Sequence, residues 1–359
     1  MIDPDAFATL LCDWCLEARE RQSVLVSTTP LAAPLVRAFY RAWITRRGWP
    51  PALRIAIPGV AEDFYRLAGD ELLDNYSPQE MADAQQADAF LAIQAPENTR
   101  ALSGVDPALI TRASRALEPV RAVRLSKRWC GTIWPTPALA QHAGMSDDDY
   151  AAFVNRALFL DQPDPVAAWS ELSDRQAAIV DRLSQAREIR IEAEGTDVRL
   201  NVEGRTWINS NGKRNMPSGE VFTGPLEDSA TGTIRFTIPS SPRGVLVEGV
   251  ELTFEAGKVT RATAERGQDY LDAALATDDG ARFLGELGIG TNAGVDRPTG
   301  STLLDEKMAG TVHLALGRSY PETGGRNASA LHWDLICDLR TGGRLTADGE
   351  VVNVAAPAS

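Results

Sequence analysis

The sequence predicts an α/β N-terminal domain with a parallel sheet, followed by an α+β, mainly antiparallel β, C-terminal domain. Three observations predict it: the length, the alternation of helical and β-branched segments over the first part, and a change of hydrophobic period from 3.6 to two at Glu188. The chain has 359 residues, and at about 150 residues per domain two cores are expected. With 44% apolar and 24% charged residues it falls in the globular class and has material for a sizeable core. Lys plus Arg is 36 against 49 for Asp plus Glu, a formal charge of −13. That excess of carboxylates opposes the phosphate neutralisation on which nucleic-acid binding rests, so no nucleic-acid partner is expected.

The elements of the first domain, residues 1–187, follow in order. An amphipathic run from Asp5 to Glu20 is followed by the β-branched Val24-Leu25-Val26, and a second helical pattern spans Leu31 to Arg46. Leu53 to Ile57 then has strand character, Ala61 to Leu73 is helical, and Phe90-Leu91-Ala92-Ile93 is a short buried strand. Ser146 and Asp149 form an S-x-x-D capping pattern opening one helix, and a long helix runs from about Pro165 to Arg187. The second domain, residues 188–359, begins with a hairpin. Ile189 and Ile191 alternate with charged residues, as do Val198, Leu200 and Val202, about the turn Glu194-Gly195-Thr196-Asp197. Strands are expected at Thr233 to Ile238, Val245 to Phe254, Thr311 to Leu316 and Leu331 to Leu339, with one helical insertion from Gln268 to Glu286.

The opening Met1-Ile2-Asp3-Pro4-Asp5 is acidic where a secretory signal carries basic residues before an apolar run. The apolar stretches are far shorter than the roughly 20 residues needed to span a bilayer. A cytoplasmic protein with no membrane partner is expected. Four cysteines, Cys12, Cys15, Cys130 and Cys337, are too few for a disulfide framework. The Cys12-x-x-Cys15 pair has no second pair to complete a zinc site and is expected to be ordinary helix packing.

Histidine is scarce, with His142, His313 and His332 the three in the chain. His332 and Asp334 lie two apart in an apolar strand, so both side chains face the same side. An imidazole and a carboxylate converging there are half of a site for divalent zinc, cobalt, manganese or iron. Alone, a His-x-Asp pair on a strand is more often solvent-facing or locally hydrogen-bonded than a metal site. His313 sits in an apolar strand bounded by Gly310 and Gly317, where a core histidine bonded to backbone is the plain alternative. Glu220 follows the breaker-rich Asn215-Met216-Pro217-Ser218-Gly219, Glu286 is expected at the end of the helical insertion, and Tyr320 follows the His313 strand. The glycines Gly288, Gly290 and Gly294 lack dinucleotide-binding spacing and are expected in turns. The chain has no H-E-x-x-H, G-x-S-x-G or G-x-x-x-x-G-K-[ST] motif, which excludes zincin, serine-hydrolase and P-loop readings.

The segments Asn215 to Phe222, Glu286 to Asn292, Asp305-Glu306-Lys307 through Gly317, Ser319-Tyr320 and Asn327 to Asp334 resemble, in order and approximate spacing, the M29 family of metalloaminopeptidases, the thermophilic aminopeptidase T and S type. The resemblance covers nearly the whole chain. It implies an enzyme with two divalent ions, zinc, cobalt or manganese, in a C-terminal metal domain. It also implies that Glu220, Glu286, His313, His332 and Asp334 supply ligands, with Tyr320 in or beside the shell. Water activated between the two ions would attack the first bond of a peptide with a free N-terminus. Glu220 or Glu286 would carry its proton to the leaving amine, and Tyr320 would donate to the carbonyl oxygen. A homodimer is implied as well. Two other readings compete: a mononuclear iron ring-cleaving dioxygenase using His313, His332 and Asp334, and a metal-binding protein without turnover.

Overall fold

The computed structural model describes residues 2–354. They form two compact units, residues 2–169 with 212–217, and residues 170–211 with 218–354. The strands in chain order are β1 (Val24–Thr28), β2 (Ala52–Ile55), β3 (Ala89–Gln94), β4 (Arg128–Ile133), β5 (Glu188–Ala193) and β6 (Thr196–Asn201). They continue as β7 (Ile208–Ser210), β8 (Asn215–Met216), β9 (Glu220–Thr223), β10 (Thr231–Arg235), β11 (Glu251–Glu255) and β12 (Lys258–Thr263). The last five are β13 (Leu284–Gly290), β14 (Thr311–Gly317), β15 (His332–Asp338), β16 (Arg344–Ala347) and β17 (Glu350–Val352).

In the first unit a parallel sheet has the order β2-β1-β3-β4-β8. The expected α/β class is therefore present. The central strands are buried because Val24, Leu25, Val26, Phe90 and Leu91 are apolar on both faces, as a parallel strand covered by helices requires. Asp3 caps the first helix, Pro4–Leu10, accepting from the amides of Asp5 and Ala6. That helix passes into a π-helical turn, Leu11–Cys15, and ends well short of the expected Glu20. Cys12 and Cys15 are buried free thiols, and burial pushes the Cys12 thiol up to about 12, so the pair is packed and inert. The expected helix from Ala61 to Leu73 is two helices, Val60–Leu67 and Asp70–Leu73, interrupted at Ala68 and Gly69, both extended. Strand β8 is two residues long and no periodicity announces it; the 212–217 segment belongs to this unit through its pairing with β4.

The second unit holds two antiparallel sheets, ordered β12-β11-β10-β6-β5-β16-β17 and β15-β14-β13-β9-β7. Their apolar faces share one core, in which Ile189, Ile191, Val198, Leu200, Leu252 and Phe254 pack with Leu287, Ile289, Val312, Leu314, Leu316 and Leu335. Each such side chain contributes about 1.5–3 kcal/mol on burial. The expected strand from Val245 to Phe254 is shorter, because Gly249 takes a positive φ of 60° and only Glu251–Glu255 enters the ladder. The helical insertion also differs. The helix stops at Leu275, a 3₁₀ turn covers Asp279–Arg282, and Glu286 lies in the middle of β13. Gly288 and Gly290 are strand residues of β13 and not turns.

Candidate metal centre

The five-stranded sheet has one face in the core and one that carries chemistry. Period two sends Val221, Leu287, Ile289, Val312, Leu314, Trp333 and Leu335 inward, so Glu220, Glu286, His313, His332 and Asp334 share the opposite face. Glu286 reaches that face through a bulge. The ladder shifts between Leu284 and Glu286, Gly285 being the extra residue, so Leu284 faces the core while Glu286 does not. Gly285 tolerates this because its backbone lies against the carbonyls of Gly317 and Arg318, 2.3 Å from where a Cβ would stand.

Each polar residue has a small one across the ladder. Glu220 faces Gly290, His313 faces Gly288, His332 faces Gly317, and Ala315 stands between Glu286 and Asp334. Glycines here leave room for long side chains to converge over the sheet. The ring of His313 lies so close over Gly288 that a Cβ there would be 2.0 Å from its Nε2.

The resulting cluster is compact. His313 Nε2 is 3.5 Å from Glu286 Oε1 and 3.6 Å from Glu220 Oε2. His332 Nε2 is 3.6 Å from Glu286 Oε2 and 3.6 Å from Asp334 Oδ2. Two donor atoms each about 2.1 Å from a common ion stand roughly 3–3.5 Å apart, so these separations match edges of a coordination shell. Three overlapping groups of ligand atoms lie within 4.8 Å of one another: Glu220, Glu286 and His313; Glu286, His332 and Asp334; and Glu306, His313 and Asp334. Glu286 belongs to two of them and turns a different oxygen to each histidine.

Two residues stand here without a role assigned from sequence. Glu306 and Lys307 follow the short helix Thr302–Asp305, and the amide of Asn292 donates to the carbonyl of Lys307. This pairing, together with Asp305 accepting from Thr299 and Gly300, brings the turn to the metal-facing side of β13. Lys307 is 1% exposed; its Nζ donates to Glu220 Oε1 at 2.6 Å and to Glu306 Oε1. The signal available in the sequence was the acid–base triplet Asp305-Glu306-Lys307 ahead of an apolar strand.

The electrostatics favour cations at this cluster. Burial pushes the Asp334 carboxyl up to about 7, the charge of Glu306 adding to the effect and His332 opposing it. Burial likewise raises Glu220 against the pull of Lys307. Burial disfavours a charged His313, but the Glu286 hydrogen bond and the charges of Glu220 and Glu286 outweigh it and lift the imidazole to about 9. Burial and the charges of Glu286 and Asp334 raise Tyr320, keeping its hydroxyl protonated. Its ring packs against Phe222 and edge-on to His332 at centroid distances of 5.6 and 5.3 Å.

Four carboxylates beside one ammonium would repel strongly in a buried site, where an uncompensated charge costs several kcal/mol. Two further details fit a divalent ion. Glu220 Oε2 is buried with no hydrogen-bond partner. His332 Nδ1 is 2.8 Å from the carbonyl of Arg318; a proton on Nδ1 for that bond leaves the Nε2 lone pair turned toward the carboxylates, the arrangement usual for a metal-ligating histidine. Oxygen and nitrogen donors of this kind suit zinc, cobalt or manganese.

The family model for the thermophilic metalloproteases (M29) matches residues 3–356. The chain belongs to the M29 family of metalloproteases. Among similar M29 proteins, Aminopeptidase 2 of Geobacillus stearothermophilus is 36% identical over 311 residues, 74% of each chain. Aminopeptidase T of Thermus thermophilus is 30% identical over 288 residues, 71% of this chain and 70% of its own. The solved structure of wild-type AmpT from Thermus thermophilus superposes with a TM-score of 0.83 at 23% identity, covering 99% of both chains. The α/β parallel sheet and the antiparallel metal-facing sheet expected from sequence are thus the M29 fold. The M29 membership makes this chain a hydrolase with a divalent metal cofactor.

Proposed function

We propose that this chain is an aminopeptidase with two divalent ions, zinc, cobalt or manganese, whose catalytic metal domain spans residues 188–359 and follows an α/β domain of residues 1–187. The observation that carries the reading is Glu286, whose two oxygens face two different histidines at 3.5 and 3.6 Å. Glu286 would then be shared by the two ions, with Glu220 and His313 completing the residues that would hold one and His332 and Asp334 those that would hold the other. A single iron held by His313, His332 and Asp334 is disfavoured because Glu286 stands between the two imidazoles.

When bound, such a pair of ions supplies Lewis acidity and a water acidified to a pKa near 7. The residues do the rest. A peptide's free N-terminal amine would be held at this cluster, which restricts cleavage to the first bond. The Tyr320 hydroxyl donates to the carbonyl oxygen as negative charge grows there. A carboxylate must carry a proton to the leaving amine, and Glu220, Glu286 and Glu306 are available. We assign this to Glu306, because Glu286 has both oxygens turned to histidines and Glu220 has one oxygen held by Lys307 and the other beside His313, whereas Glu306, also held by Lys307 through one oxygen, lies outside the two groups that share Glu286.

A panel of aminoacyl amides and their N-acetylated counterparts tests the reading. Turnover is expected on the free amines alone, lost with a chelator and restored by a divalent ion; cleavage of the N-blocked substrates, or of neither, would refute it. Glu306→Gln should keep both ions and lose kcat by about 10²-fold or more. Full turnover in that variant would return the proton to Glu220 or Glu286.

We further assign a homodimer built on the first unit. In the edge strand β2 all four residues are exposed, and the helix Val60–Leu67 buries none of its residues. Ile57, Val60 and Leu67 are 57%, 58% and 78% exposed. An apolar edge of that kind is usually covered, and a second copy is the occupant that an isologous interface supplies. Leu67→Glu should shift the chain from dimer to monomer by light scattering; an unchanged dimer would locate the interface elsewhere. The four buried free thiols support a cytoplasmic location, and among the described residues no helix is long and apolar enough to cross a membrane.

A further inference from the structure

We propose that Lys307 is a positioning residue for the metal centre: its buried ammonium holds one oxygen of Glu220 so that only the other is offered to an ion. The inference rests on the two-ion reading and goes beyond it, since Lys307 is not itself a ligand. Lys307 Nζ donates to Glu220 Oε1 at 2.6 Å, while Glu220 Oε2 is the buried oxygen without a partner and lies 3.6 Å from His313 Nε2. The two oxygens of one carboxylate are thereby assigned different tasks. The clamp is rigid from both sides. The main chain of Lys307 lies against Gly290, where a Cβ would stand 2.9 Å from the Lys307 carbonyl carbon, and Gly290 is the ladder partner of Glu220. The amide of Gln176 donates to the main-chain carbonyl of Glu220, fixing the other end of that residue.

Chemistry explains why lysine stands here in a chain with only four lysines. An ammonium is a compact point charge with three donors, and Lys307 reaches Glu220 and Glu306 together; a guanidinium is broader and grips both oxygens of one carboxylate at once. Gripping both would withdraw Oε2 from the ion. A lone carboxylate without a clamp turns freely between one-oxygen and two-oxygen ligation. Lys307 would therefore limit Glu220 to one ligating oxygen beside His313, and it makes no hydrogen bond to His332 or Asp334.

The test is calorimetric titration of the metal-free full-length chain with cobalt(II), followed also by the visible cobalt absorption, for the unmodified protein and Lys307→Met. The unmodified chain should take up two ions. The variant should bind one with unchanged affinity and the other about 10–100-fold more weakly, with an altered cobalt spectrum confined to the weaker step. Lys307→Gln, a smaller change that keeps a neutral donor, should show the same selective loss and serves if the methionine variant does not fold. Two ions bound with unmodified affinity and spectrum, or equal weakening of both, would overturn the positioning role. Failure of the unmodified chain to bind two ions would instead refute the two-ion reading.

Discussion

Replacing Glu286 by alanine is expected to leave a folded chain that holds neither ion at stoichiometric level and hydrolyses aminoacyl amides at less than about one hundredth of the unmodified rate. The expectation follows from geometry. Glu286 is the one residue shared between the group with Glu220 and His313 and the group with His332 and Asp334, so its loss removes a ligand from both. Stability separates this from simple damage. Without metal, Glu286 is one of several carboxylates crowded in a buried site, so its removal relieves repulsion that offsets the lost contact with His313. The metal-free variant should therefore melt no lower than the metal-free unmodified chain, while the stabilisation that added metal confers should disappear. Elemental analysis after gel filtration, with melting curves in the presence and absence of zinc, reads both effects. Two ions retained by the variant would remove Glu286 from the bridge.

The second large effect needs no change to any ligand. Gly288→Ala places a methyl group where the His313 ring now lies, 2.0 Å from Nε2. Gly288 has no positive φ, so its strand conformation accepts alanine and the conflict is with His313 alone. The ring must turn away, taking its lone pair from the position between Glu220 and Glu286. Turnover should fall by about 10²-fold or more, with loss of one ion. Far-ultraviolet circular dichroism should stay unchanged. Normal turnover with two ions bound would mean that His313 ligates from elsewhere or not at all.

Parts of this site were legible in the sequence because they obey local periodicity. His332 and Asp334 are two apart, and the strand places both on one face, as period two requires. His313 between Gly310 and Gly317 was likewise visible as a polar residue in an apolar strand. Glu286 reads from sequence as a helix end for an identifiable reason. The bulge at Gly285 spaces the core residues Leu284 and Leu287 three apart, which mimics helical spacing, and the glycines of β13 remove the apolar alternation a strand normally displays. That misplacement concerned the element, and the residue still reaches the cluster. Glu306 and Lys307 stand out in the sequence as a triplet with Asp305, but periodicity gives them no role because a non-local pairing, between the main chains of Lys307 and Asn292, carries them to the site. In the first unit the parallel strands were legible from apolar runs, but the two-residue β8, arriving from residues 215–216, carries no pattern of its own.

Glu286 is expected to lie between two ions. Anomalous X-ray diffraction from crystals of the unmodified chain grown with zinc or cobalt tests it most directly. Two peaks about 3.5–4 Å apart are expected, one beside Glu220 and His313 and the other beside His332 and Asp334, with an oxygen of Glu286 on each. A single peak shared by both histidines, or two peaks with Glu286 turned away from them, would contradict it.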